Sequence, residues 1–135
     1  MDWEECNKKD LVKEVKADKN LTNSLIKSSE KKLKTQSLLD LNETTATSKI
    51  SLSYEALREL LEALAISNGF KIYNHECYYA FLKEILKKND LGREFDNFRK
   101  LRNAINYYGK DISKEEAKEI MENIIKLIEK VKNIL

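Results

Sequence analysis

The stretch Ile50-Ser-Leu-Ser-Tyr54-Glu-Ala-Leu57-Arg-Glu-Leu-Leu61-Glu-Ala-Leu64 carries apolar side chains at steps of three and four. That spacing puts Ile50, Tyr54, Leu57, Leu61 and Leu64 on one face of a helix. Ala56, Leu60 and Ala65 widen the stripe, as a core-facing helix requires. The helix reads from about Lys49 to Ser67 and ends at Asn68-Gly69, because glycine adopts the left-handed C-cap conformation without steric cost.

The rest of the chain repeats this theme. The segment from about Leu21 to Leu41 reads as a helix whose edge is Leu21, Leu25, Ser28, Lys32 and Thr35, with Ile26, Leu33 and Leu38 as added apolar points, so its stripe is imperfect. The Thr-, Ser- and Asn-rich stretch Asn42–Ser48 suits caps and turns. Phe70 and Ile72 read as apolar anchors in a loop. A third helix runs from near Asn74 or His75 to about Lys88, with Cys77, Phe81, Leu82 and Ile85 on its face. Leu91, Phe95, Phe98, Leu101, Ile105 and Tyr108 then form a narrow seam on a fourth helix, which Gly109 stops. Ser113 and Glu116 make a capping box for the last helix, whose face is Ala117, Ile120, Ile124, Leu127, Ile128 and Val131. Residues 3–16 read as a short helix on the bundle edge.

The chain contains no proline and three glycines in 135 residues. A sandwich or barrel needs more turns than that permits. The expectation is an all-α, up-and-down bundle of about five helices in one domain, 1–135, with residues 1–18 as a peripheral N-terminal extension.

Composition excludes several functions. A net charge of +2 is too balanced for a dedicated DNA binder but leaves room for local nucleic-acid contact. No apolar run approaches the roughly 20 residues a membrane span needs. The polar N-terminus from Asp2 onward does not read as a signal peptide, and a cytoplasmic location is expected. Cys6 and Cys77 have no metal spacing and read as free thiols. A single histidine, His75, removes the His-rich zinc and di-iron patterns, and no glycine-rich phosphate loop is present. No metal and no cofactor are expected.

The segment Phe98-Arg-Lys-Leu-Arg-Asn-Ala-Ile-Asn-Tyr-Tyr-Gly109 gathers polar groups around the seam. Arg102 and Asn106 lie four apart, as do Asn103 and Tyr107, so each pair shares a helix face. Two uses fit them: an interhelical hydrogen-bond network, or a phosphate or RNA site at a dimer groove. Arg93 and Arg99 read first as surface charges, although Arg99 precedes Asn103 by one turn and extends a basic groove. His75, next to a helix start, reads as a cap or a structural hydrogen bond. Tyr78-Tyr79 reads as core and rim, and Tyr54 and Glu62 as packing or bridging groups. Tyr107 and Tyr108 read mainly as packing residues, with Tyr108 on the seam.

Leu101–Gly109 resembles the last-but-one helix of HEPN domains (higher eukaryotes and prokaryotes nucleotide-binding domains). That family carries an arginine, a polar residue, and a histidine about five positions after the arginine. Arg102 and Asn103 match the first two, and Tyr107 stands where the histidine is expected. The run Tyr54–Leu64, the Asn68-Gly69-Phe70 loop, His75 and the closing helix opened by Ser113 and Glu116 are similar too, over roughly Leu21 to Leu135.

The resemblance implies a homodimer and a module that binds a nucleotide, RNA or a protein partner, typically a minimal nucleotidyltransferase in a toxin–antitoxin-like pair. An alternative it implies is a metal-independent ribonuclease using Arg102, Asn103 and Tyr107, with Arg99, Asn106, Tyr108 and His75 as binding residues. Tyrosine, with a reference pKa near 10, is a poor base at pH 7, but it still donates hydrogen bonds and stacks on bases. A structural dimerising bundle without ligand is the third reading.

Overall fold

A computed structural model describes all residues, Met1–Leu135. The order is α1 (Trp3–Lys8), β1 (Val12–Glu14), α2 (Lys19–Ser37), α3 (Ala46–Ser67), β2 (Phe70–Ile72), α4 (Glu76–Ala80), a π-helical turn (Phe81–Ile85), α5 (Asn89–Tyr108) and α6 (Lys114–Lys132). The chain is mostly helical, and none of its helices is long and apolar enough to cross a membrane.

Helix α3 is the centre. It packs against α2, α5, α6 and β2, and it buries Ile50, Tyr54, Leu57, Leu60, Leu61 and Leu64. The wide stripe exists because neighbours cover it from several sides. Helix α2 runs antiparallel to α3, since Ser29 meets Ala56 and Gln36 meets Lys49. Its stripe is imperfect because polar groups do part of the joining. The Ser29 hydroxyl donates to the Ala56 carbonyl at 2.7 Å, and Lys32 pairs with Glu59. The buried Lys49 ammonium donates to the carbonyls of Gln36 and Leu39, where the end of α2 leaves carbonyls without helical partners and concentrates negative dipole.

Four expectations require correction. Cys6 and Cys77 are not free thiols: they form a disulfide across 71 residues, with Cα atoms 6.1 Å apart. Sequence spacing carries no information about such a pairing, which depends on where the fold brings the two Cβ vectors. Residues 1–18 are not peripheral to the packing, because Cys6 and Val12 lie in the same 24-residue core cluster as Val131. Part of that segment is also not helical. Val12–Glu14 pairs antiparallel with Phe70–Ile72, in the register Val12↔Ile72, Lys13↔Lys71 and Glu14↔Phe70. Gly69, at φ +86°, turns the chain out of α3 into β2, and Val15 N–H donates to its carbonyl at 2.9 Å. The loop anchors Phe70 and Ile72 are thus an edge-to-edge ladder.

The seam on α5 is only partly buried. Phe95 is fully enclosed, Phe98, Leu101 and Ile105 are half-buried, and Tyr108 is 86% exposed rather than packed. Periodicity identifies a face but not how far the neighbouring elements extend along it. At its start α5 comes very close to α4: a Cβ on Gly92 would sit 2.7 Å from the Tyr79 ring. Glycine permits that approach, and it sets the position of the rest of α5. Helix α6 runs antiparallel to α5, with Lys130 paired to Glu94. Its capping box forms with a variation: Glu116 N–H donates to Ser113 Oγ at 3.2 Å, and the Glu116 carboxylate takes the Ser113 hydroxyl.

Candidate functional site

The second half of α5 and the segment Tyr73–Glu76, which leads from β2 into the first residue of α4, form the two walls of an open groove of about 390 Å³. Arg99, Arg102, Asn103 and Tyr107 line it from α5, and Tyr73, Asn74, His75 and Glu76 from the other wall. Five of the residues singled out in the sequence, Arg99, Arg102, Asn103, Tyr107 and His75, therefore meet in one place. Asn106 and Tyr108 do not line the groove: they face solvent beyond it. Tyr107 is not a packing residue either, since 71% of it is exposed at the groove's end.

Both arginines are held from below. Arg102 Nη2 donates to Glu55 Oε1 at 3.2 Å and Nη1 to Asn103 Oδ1 at 3.4 Å. Its guanidinium carbon lies 5.5 Å from the Tyr54 ring centroid, a cation–π distance. Arg99 is not a surface charge. Its side chain is 12% exposed, and it pairs with Asp96 at 2.8 Å and Glu76 at 3.8 Å.

Glu55 continues the web. Its other oxygen accepts from Arg58 Nε at 3.1 Å, Arg58 Nη1 donates to Glu62 at 3.0 Å, and Glu62 takes Lys71 Nζ at 2.6 Å. The charges alternate from β2 through α3 to α5. Burial opposes ionisation of both Arg58 and Glu62, but their hydrogen bonds outweigh it. Arg58 is held more firmly protonated and the Glu62 carboxyl lies below its ordinary range.

The web includes residues that the sequence did not mark as a site: Glu55, Arg58, Tyr73, Asn74 and Glu76. One signal for it was present. The chain has only four arginines, Arg58, Arg93, Arg99 and Arg102, among 25 basic residues, and three of them converge here. Where lysine is abundant, a rare arginine marks a place that uses the planar fork of the guanidinium.

His75 occupies the N-cap position of α4 but does not cap it. Asn74 does, accepting from Glu76 N–H at 2.8 Å. His75 Nδ1 instead shares a 3.0 Å hydrogen bond with the buried Tyr54 hydroxyl. Burial pushes that hydroxyl well above the ordinary tyrosine value, so it keeps its proton. Burial, reinforced by the positive charge of Arg58, holds the imidazole below its ordinary value, and His75 is neutral at pH 7. Arg99 and Arg102 on α5 push the same way, and Glu55 on α3 opposes them.

A lowered folded pKa means the unfolded chain takes up the proton first. The stability His75 contributes is complete above the unfolded value of about 6.5 and is lost as pH falls through the lower folded value. Urea midpoints should therefore drop as pH falls from about 6.5, the unfolded histidine value, toward the lower folded one. His75→Gln should flatten that drop; an unchanged slope would show that the imidazole is not buried in this web.

No three His, Cys, Asp or Glu side chains stand close enough together to hold a metal ion. What the groove offers is two ion-paired guanidinium groups, a neutral imidazole, two side-chain amides and two phenol rings. No protein-family model, no curated protein and no solved structure matches the chain.

Proposed function

We propose that the chain is an HEPN-type binding module that takes a nucleotide or a single strand of RNA in the groove between α5 and the Tyr73–Glu76 segment. The observation that carries this reading is the meeting of Arg99, Arg102, Asn103 and Tyr107 with His75 in one open groove. A helix end that supplies guanidinium, amide and phenol groups to a concave surface has the chemistry to hold a phosphate and a base. The resemblance in Leu101–Gly109 adds a homodimer and a minimal nucleotidyltransferase as the partners to look for.

The test is titration of a labelled single-stranded RNA in chelator. Arg102→Ala should weaken binding by less than about tenfold, because its guanidinium is already shared with Glu55. Glu55→Gln should strengthen it, since it releases Arg102 from its competing carboxylate. A purely structural bundle, for which the web is only a helix clamp, predicts no RNA binding at all.

A metal-independent ribonuclease is the second reading, and His75 is the observation that favours it. The imidazole missing at Tyr107 is present across the same groove, and it accepts a proton at Nε2 in the tautomer whose Nδ1–H donates to the Tyr54 hydroxyl. Cleavage of RNA in chelator that is lost in both Arg102→Ala and His75→Gln would establish it. Cleavage unaffected by either variant would remove it.

A further inference from the structure

We infer that the groove holds its ligand chiefly by an unpaired nucleobase set against Tyr73 and Tyr107, with phosphate charge a minor contributor; this rests on the reading of the groove as a nucleotide or RNA site. Tyr73 directly follows β2 and Tyr107 lies in the last turn of α5, so the rings belong to opposite walls. They are 58% and 71% exposed, large aromatic surfaces left in water at the mouth of one concavity. Every nucleobase has a flat face for such rings.

The charged groups point the same way. Neither arginine is free for a phosphate: Arg102 is engaged by Glu55, and Arg99 by Asp96 and Glu76. Glu76 itself lines the groove and repels an anion. His75 is neutral. A ligand gripped by its phosphates would have to displace carboxylates from both arginines, whereas a base need displace only water. The amides of Asn74 and Asn103 each have their oxygen occupied, by Glu76 N–H and by Arg102, which leaves their N–H groups for a base edge.

The Tyr73 wall is pre-positioned. Tyr73 N–H donates to the Leu11 carbonyl at 2.8 Å, and Cys77 N–H donates to the Asn74 carbonyl at 3.0 Å. Cys77 in turn is tied to Cys6. Little conformational freedom remains in this wall to be lost on binding.

The experiment is fluorescence anisotropy with the full chain and a labelled RNA single strand of about ten nucleotides, within the range a single-strand site spans. The same sequence as a duplex, an abasic strand of equal length, adenosine monophosphate and inorganic phosphate serve as competitors. The single strand should bind, adenosine monophosphate should compete, and the duplex, the abasic strand and phosphate should compete at least about tenfold less well. Tyr73→Ala and Tyr107→Ala should each weaken binding by about tenfold, the scale of one lost stacking contact, while Tyr73→Phe retains it. Affinity should change with salt as though about one phosphate were contacted.

Circular dichroism checks that the exposed-site variants stay folded. If Tyr73→Ala binds like the wild type while Arg102→Ala does not, and the abasic strand competes fully, base-led recognition is wrong although the groove remains the site. Absence of binding for every probe overturns both this inference and the function it rests on.

Discussion

Replacing Phe95 with alanine should cost about 3–5 kcal/mol, the range for emptying a fully buried aromatic site. Phe95 is completely enclosed in the single core cluster. It stacks on Tyr54 with centroids 5.7 Å apart and meets Tyr78 edge-on at 5.7 Å. Burial pushes both tyrosine hydroxyls well above the ordinary tyrosine value, so both rings stay neutral beside the cavity.

The cavity would open directly beneath the Arg102–Tyr54 contact and the Tyr54–His75 hydrogen bond. Urea unfolding followed by circular dichroism measures the loss, with Phe98→Ala as the comparison. Phe98 is only half-buried and should lose less than half as much. A loss below about 1.5 kcal/mol for Phe95→Ala would mean the site collapses freely and α5 is not fixed by this ring. Binding to the groove should weaken in the surviving folded fraction as well, because Tyr54, which stacks on Phe95, also contacts Arg102 and His75 of the groove.

Opening the Cys6–Cys77 bridge is the second large effect expected. A cross-link that closes 71 residues of separation restrains the unfolded chain by about 4 kcal/mol on a chain-entropy basis. Removing the bridge removes that restraint but leaves the native contacts of α1 in place. Trp3 packs edge-on against Phe70 at 5.2 Å and near Phe81 at 6.1 Å, and its backbone N–H donates to Glu84 at 2.7 Å. The double variant Cys6→Ala, Cys77→Ala should therefore remain folded but lose about 2–4 kcal/mol.

Trp3 is the chain's one tryptophan, so its fluorescence reports directly on whether α1 stays docked. Thiol counting under denaturing, non-reducing conditions provides the direct check. Two free thiols, together with a urea midpoint unchanged by reductant, would refute the bridge. The consequence for the groove is specific: Cys77 lies three residues after Asn74, so loss of the bridge should loosen the Tyr73–Glu76 wall before it disturbs α5.

Much of the helical framework was legible from local chemistry. Ile50, Tyr54, Leu57, Leu61 and Leu64 announce α3 because a helix repeats its face every three to four residues, and nothing distant is needed to see that. Ser113 and Glu116 mark the start of α6 through a bond between near neighbours. One wall of the groove was readable for the same reason: Arg99, Arg102, Asn103 and Tyr107 recur at helical spacing on α5, so their sharing a face follows from the helix alone.

The opposite wall was not readable. Tyr73 and Asn74 look like ordinary loop residues until β1 pairs with β2 and fixes where the loop starts. The partner of Arg102 was equally hidden, because Glu55 lies 47 residues away and any of the 23 acidic residues could have served.

The sequence by itself determined the long helices α2, α3, α5 and α6, where α6 begins, and that Arg99, Arg102, Asn103 and Tyr107 share a face of α5, since each depends on contacts within a few residues. The tertiary structure alone decided the rest. It brought Cys6 to Cys77, paired Val12–Glu14 with Phe70–Ile72, exposed Tyr107 and Tyr108 rather than burying them, and set His75 opposite Arg102. Each of these depends on two segments far apart in the chain meeting at close range. Local periodicity has no term for such a meeting; the packing of α5 on α3 and of β2 on β1 supplies it.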